Sequence, residues 1–280
     1  MYKGVLEVGT MAKITNFVKI KTAHDLISYL EDPKRDKDFF YHYTTIDRLQ
    51  QIIKNRYFVF SGFEIMNDKQ EAEIIGNDYS NNTFVGSFSR ADNEVMAMWG
   101  MYAIPWEMGV RIGIPKAHFR KWIKETKSVF EFKEGSLKEE FIVDKTQNKI
   151  NAVCYYDKLN NRLDWSNRRL HLKRLTNLLN PETNSQLYGY VKHKTWAYEE
   201  EMRVLIKVDS NRTIRQIGIP IPDYIINDLK LVLGPCFEIT NLLNNDIPTI
   251  KSEFTGKVKP KKVCDICRHK FSLSPNGKEE

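Results

Sequence analysis

Short strand-like runs mixed with helical periodicities, in no strict strand–helix–strand alternation, predict an α+β fold. No G-x-G-x-x-G follows a strand-like run and no G-x-x-x-x-G-K-[ST] occurs, so the usual dinucleotide and P-loop fingerprints are missing. With 41% hydrophobic, 12% aromatic and 28% charged residues, the chain is core-forming and not disordered. Its 280 residues suffice for one large domain or two small ones.

The elements follow in order. Residues 23–30 read as a short helix, and the charged link EDPKRDKD closes an N-terminal extension over 1–38. Phe39, Phe40, Tyr41, His42 and Tyr43 form an aromatic strand. Thr44 and Asp47 fit a capping box before a helix whose Ile46, Leu49, Ile52 and Ile53 recur at helical spacing. A strand at 57–60 comes next, then a polar loop with Asn67, Asp68 and Glu71. Residues 84–89 alternate as a strand, with Ser87 and Ser89 on one face and Phe88 on the other. Residues 94–102 read as a helix carrying Met98, Trp99 and Tyr102, ended near Pro105.

Residues 109–114 alternate around Arg111 as a strand, and 116–127 read as an amphipathic helix. Strands are expected between 129 and 157, and a helix over 165–179 that shows Arg168, Arg169, Lys173 and Arg174 to solvent. After the central strand at 196–208 come a strand near 213–219, a short helix at 223–229 behind Pro220 and Pro222, a brief strand at 231–233 and a small helix at 239–244. Domain organisation is then 1–38 extension, 39–250 body and 251–280 basic tail. The tail is expected to be separable.

The run KTWAYEEEMRVLI, residues 194–206, carries the most chemistry. In an extended chain Glu199 and Glu201 share one face with Arg203, while Trp196, Tyr198, Glu200, Met202, Val204 and Ile206 share the other. Two acids and an arginine backed by large apolar groups form a site mounted on a strand. A solvated edge strand with an ordinary ion pair has the same pattern. His42 sits at a strand end just before a helix N-terminus, and a core histidine satisfied by a backbone carbonyl would read alike.

Formal charge is +7, from 43 basic and 36 acidic residues, which leans toward an anionic partner. No window holds the roughly 20 apolar residues that cross a bilayer, and the opening residues show no secretory leader. A cytoplasmic protein without membrane contact is expected. The four cysteines suit a reducing compartment. Cys264, Cys267 and His269 form half of a zinc ribbon, and Cys154, Cys236 or a second chain would have to complete four ligands. Free thiols are therefore the default.

Tyr41-His42-Tyr43-Thr44, the Asn67-Asp68 and Glu71 loop, Phe88-Ser89 before Met98-Trp99 with Tyr102, and Trp196 through Arg203 together resemble a widespread bacterial family of unknown function. Its marks are Y-H-Y-T and W-x-Y-E-x-E-x-R. The order of a histidine strand, a serine strand and a late glutamate is in turn similar to the ADP-ribosyltransferase superfamily. That resemblance spans about residues 39–208 and implies a split β-sheet core with flanking helices. It implies NAD as co-substrate, with transfer of ADP-ribose to a nucleic-acid or protein acceptor, or to water, in the setting of a toxin or anti-phage defence effector.

By the same resemblance Glu201 stabilises the developing sugar cation. Glu199 orients or deprotonates the acceptor, and His42 bonds a ribose hydroxyl. Ser87 or Ser89 holds Glu201, and Tyr43, Trp99 or Tyr102 stacks on a flat ring. Arg203 keeps a glutamate ionised or meets a phosphate. Trp99 and Tyr102 would equally suit a core. A non-catalytic nucleic-acid- or protein-binding module of the same fold and a metal-dependent nuclease remain as alternatives, and the oligomeric state is unread.

Overall fold

A computed structural model describes residues 37–66, 82–143, 148–157, 162–165, 168–171, 189–237 and 249–257, together with 28 and 31. Fifteen strands and four α-helices lie among the described residues: β1 Phe39–Thr45, α1 Ile46–Asn55, β2 Tyr57–Gly62, β3 Thr83–Ser89, α2 Met96–Tyr102, β4 Gly109–Pro115, α3 Lys116–Glu125, β5 Ser128–Lys133, β6 Ser136–Ile142, β7 Lys149–Ala152, β8 Cys154–Asp157, β9 Arg162–Trp165, β10 Arg168–His171, β11 Val191–His193, β12 Glu201–Lys207, β13 Gln216–Pro220, α4 Asp223–Asn227, β14 Lys230–Leu233 and β15 Thr249–Lys251. This is a mixed α+β architecture with one large sheet, one small sheet and few helices.

Sheet pairing explains why the apolar runs alternate as they do. In the large sheet β12 lies antiparallel along the whole of β3, with Glu201 opposite Ser89, Arg203 opposite Ser87 and Val204 opposite Gly86. Directly opposed residues share a face, so Met202, Val204 and Ile206 enter the main core with Phe84 and Phe88. Glu201 and Arg203 take the other face with Ser87 and Ser89. The helices α1 and α3 supply Leu49, Phe119, Trp122 and Ile123 to that core.

On its other edge β3 meets two different strands. β1 pairs it at Ser89, and β2 pairs it at Phe84 and Val85. The ladder is open between them, and the sheet forks there. The fork needs Gly86: a Cβ there would lie 2.2 Å from the Phe60 ring, far inside contact distance, so only glycine lets that ring cross β3.

The small sheet runs β10-β9-β8-β11, with β11 parallel to β8. Here the structure corrects the helix expected over 165–179. Residues 162–165 and 168–171 pair antiparallel, Trp165 opposite Arg168, and β9 adds to the edge of β8. Pairing to the edge of β8 prevails there over the helical period read from the sequence. Residues 166, 167 and 172–179 lie outside the described residues, as do Asn67, Asp68 and Glu71, the segment 239–244 where a helix is expected, and Cys264, Cys267 and His269.

Three smaller differences bear on the site. The helix after β1 starts at Ile46, with Thr45 as N-cap and no side-chain cap bond, so the Thr44–Asp47 capping box is not formed. Residues Lys194–Glu199 form a 3-10 turn, not strand, and Glu200 then takes a left-handed conformation with φ 41°. The body also runs past 250. β15 pairs parallel with β14, Ser252 Oγ donates to Glu94 Oε2 at 2.5 Å, and the Glu253 amide donates to Glu94 Oε1 at 2.8 Å. Trp99 Nε1 donates to the same carboxylate at 2.9 Å. No helix among the described residues is long and apolar enough to cross a membrane.

Candidate functional site

A cleft of about 260 Å³ opens at the fork between β1, β2 and β3. Aromatic rings wall it, notably Tyr41, Tyr43, Phe58, Phe60, Phe88 and Trp196. One pole is polar: Tyr102, Lys192, Glu199 and Glu201 converge there, with His42, Ser87 and Ser89 alongside. The three strands that carry the histidine, the serines and Glu201 therefore contribute to one cavity. Met98 and Tyr102 reach it from α2, and Trp196 and Glu199 from the 3-10 turn.

Glu201 is held on all sides. Arg203, two residues on along the strand, grips it with two parallel bonds, Nε to Oε1 and Nη2 to Oε2, both 2.8 Å. The Arg203 guanidinium is fully buried and also donates to the Gly189 carbonyl at 2.5 Å. Lys192 Nζ lies 3.3 Å from Glu201 Oε2, and the Ser87 hydroxyl bonds the carboxylate as well. Even the backbone is anchored, since the Glu201 amide donates to the Tyr155 hydroxyl at 2.9 Å. Burial alone would raise this carboxyl, but the guanidinium and ammonium outweigh it and hold it down at about 2. Glu201 is ionised throughout the ordinary pH range.

Glu199 has a different environment. The Tyr102 hydroxyl donates to Oε1 at 2.6 Å and Lys192 Nζ donates to Oε2 at 2.7 Å. Burial pushes its carboxyl up, the Lys192 ammonium pulls it down, and the Glu201 charge pushes it up again, with the net shift upward. Tyr102 is likewise raised, by burial and by the Glu199 charge beside it, so it stays a phenol and a donor. Two neighbouring carboxyls thus have opposite proton affinities, the pattern that separates a fixed charge from a proton carrier.

His42 Nδ1 lies 3.3 Å from the Ser87 carbonyl oxygen, in the open stretch of the β3 ladder. Burial lowers its pKa, the carbonyl bond raises it in part, and the Arg48 charge lowers it further. A neutral ring with Nδ1–H donating leaves Nε2 as an acceptor. The core-histidine alternative matches in its carbonyl partner, yet His42 lines the cleft.

Two predicted residues are not cleft walls. Trp99 is 1% exposed and packs with Tyr43, Met98 and Val232. It meets Tyr43 edge-on with centroids 4.9 Å apart and bonds Glu94, so it buttresses the wall from behind. Arg203 also lies behind, meeting Glu201 rather than a phosphate. Ser89 Oγ accepts from the Ala91 amide at 3.2 Å, which leaves Ser87 as the serine on Glu201.

Lys192 carries no signal in the sequence pattern. It comes from β11 of the small sheet, is 5% exposed, and lies 4.6 Å over the Trp196 ring. A lysine between Val191 and His193 looks like any solvated strand residue. Its partners lie on a turn and a strand several residues later. Among the described residues no group of three or more His, Cys, Asp or Glu is placed to hold a metal ion.

A family model described as protein of unknown function, DUF2971, matches residues 98–204. The matched stretch begins at Met98-Trp99 with Tyr102 and ends just past Trp196–Arg203. It therefore holds the whole polar pole of the cleft, while His42, Ser87 and Ser89 precede it. Over that stretch the chain is similar to a family of unknown function. No curated protein matches the chain.

Proposed function

We propose that the cleft binds a flat heteroaromatic ring with its attached ribose and cleaves the bond between them, as an NAD-consuming ADP-ribosyltransferase-like enzyme or NAD glycohydrolase. The observation that carries this reading is the convergence of His42, Ser87 and Glu201, from three separate strands, on one aromatic-walled cavity. The fork of the sheet at β3 supports the split core implied by the resemblance to ADP-ribosyltransferases.

Each residue has a task in that chemistry. Departure of nicotinamide leaves positive charge on the ribose, and a carboxylate already fixed and ionised stabilises it without reorganising. Glu201 is that carboxylate. Ser87 and Arg203 aim it, and Tyr155 holds its backbone. His42 Nε2 accepts from a ribose hydroxyl, and the aromatic walls exclude water and stack on the ring. Glu199, with the higher proton affinity, accepts the proton of the attacking hydroxyl of water or of an acceptor. A volume near 260 Å³ suits one nucleoside, so the second half of a dinucleotide would lie outside the mouth.

One observation favours a second reading, a non-catalytic nucleic-acid- or protein-binding module of the same fold. Both carboxylates face buried cations, Lys192 and Arg203, so the pole is formally balanced in charge. Binding and turnover separate the two. Under the enzyme reading Glu201→Gln keeps NAD affinity within a few-fold while nicotinamide release falls by about 100-fold or more, the cost of losing one transition-state contact of about 3 kcal/mol. His42→Ala weakens binding itself. Unchanged turnover in Glu201→Gln would remove the catalytic role of that carboxylate.

A further inference from the structure

The cleft contains a buried lysine where neither the strand pattern nor the family resemblance calls for one. Lys192 Nζ bonds Glu199 Oε2 at 2.7 Å and Glu201 Oε2 at 3.3 Å. The side chains of all three are less than a tenth exposed. Two carboxylates that bond one ammonium are close neighbours, and two like charges so placed cannot both stay ionised in a dry site unless something offsets them. Arg203 offsets Glu201, to whose two oxygens its Nε and Nη2 donate while Nη1 goes to the Gly189 carbonyl. Among the described residues Lys192 is the cation that offsets Glu199.

We propose that Lys192 is a positioning residue that keeps Glu199 ionisable beside the permanently ionised Glu201, so that the charge-balanced pole holds one fixed carboxylate and one carboxyl that exchanges a proton. Groups from the described elements around Glu199 are consistent with this division. From α2, Tyr102 donates a neutral hydroxyl bond to Glu199. From the 3-10 turn, Tyr198 is a phenol with its own affinity raised by burial and by Glu199. From β12, Glu201 repels a second negative charge and Arg203 is committed to Glu201. From β8, Tyr155 meets the Glu201 amide, and from β3, Ser87 bonds Glu201. Among the described residues the Lys192 ammonium is the cation bonded to Glu199. Without it the balance tips to the neutral acid, which can donate a proton but not accept one. The inference does not depend on which substrate the cleft takes.

The test reads Glu199 directly, in the full chain and without ligand. Protein labelled with carboxyl-¹³C glutamate is titrated by NMR, and the Glu199 resonance is assigned as the one lost in Glu199→Gln. In Lys192→Met the Glu199 midpoint is expected to rise by about one pH unit or more, while Lys192→Arg keeps it within a few tenths. A midpoint unmoved in Lys192→Met overturns the proposal. If Lys192→Met does not fold, the double variant Lys192→Met with Glu199→Gln is expected to fold, since it removes one charge of each sign. Failure of both to fold would mean that Lys192 acts through packing, which also overturns it. Absence of NAD turnover would leave the titration result intact and count only against the enzyme reading.

Discussion

Arg203→Met is expected to destabilise the protein more than any surface charge change, and to do so in a pH-dependent way. Arg203 is fully buried and makes two 2.8 Å bonds to Glu201. Methionine fills similar volume but leaves a buried carboxylate short of its main partner. The carboxyl of Glu201 sits at about 2 against an ordinary 4.5. At about 1.4 kcal/mol per pH unit, that difference, to which Arg203 contributes most and Lys192 and Ser87 add, is worth about 3 kcal/mol of folding stability. Breaking a buried pair typically costs about 3–5 kcal/mol, so the two routes agree.

The sign follows from the depressed value. Stability from the pair is fully present above 4.5 and drains away as pH falls toward about 2. In the variant, burial is less well opposed, so Glu201 climbs and gives up its charge at higher pH. Urea unfolding at pH 7 should therefore show a loss of about 3–5 kcal/mol. The gap between wild type and variant should narrow as pH falls through that window. A loss under about 1 kcal/mol at pH 7, or a gap that ignores pH, would refute the picture of Arg203 as the counter-charge.

Two further outcomes test the frame around the cleft. Gly86→Ala drives a methyl into the Phe60 ring, so a loss of about 1–3 kcal/mol is expected in urea unfolding, with the cleft distorted. An unchanged midpoint would mean that the ring moves freely aside. Glu94→Ala removes the carboxylate shared by Trp99, Ser252 and Glu253. Amide exchange at 249–257 should quicken by about tenfold or more while the β3–β12 ladder stays protected. Equal protection in the variant would show that β15 pairing alone holds that segment.

Much of the frame is legible in the sequence because period-two alternation needs no knowledge of partners. Met202, Val204 and Ile206 fall on the core face and Glu201 with Arg203 on the other, as alternation requires. The aromatic β1 and the Ser87/Ser89 strand are readable for the same reason. The route by which Glu199 arrives is not. No glycine marks the left-handed residue at Glu200, and local pattern favours a continuous strand through three glutamates. Glu199 is instead held from outside, by Tyr102 and Lys192, and the chain makes a turn to reach them. The fork is equally hidden, because alternation names faces but never neighbours. Which strand lies beside β3 at Ser89 and which at Val85 is a property of the whole sheet. Trp99 carried the right spacing for a cleft residue, yet helical spacing cannot say on which side of Tyr43 a ring will lie.

Release of nicotinamide from NAD by the purified wild-type chain tests the central proposal most directly. The aromatic cleft with an ionised Glu201 and a proton-exchanging Glu199 predicts release above the uncatalysed rate, and its loss when Glu199 and Glu201 are both changed to Gln in a folded protein. A wild-type chain that neither binds NAD nor releases nicotinamide, with or without nucleic-acid and protein acceptors, would contradict it and leave the cleft as a binding site.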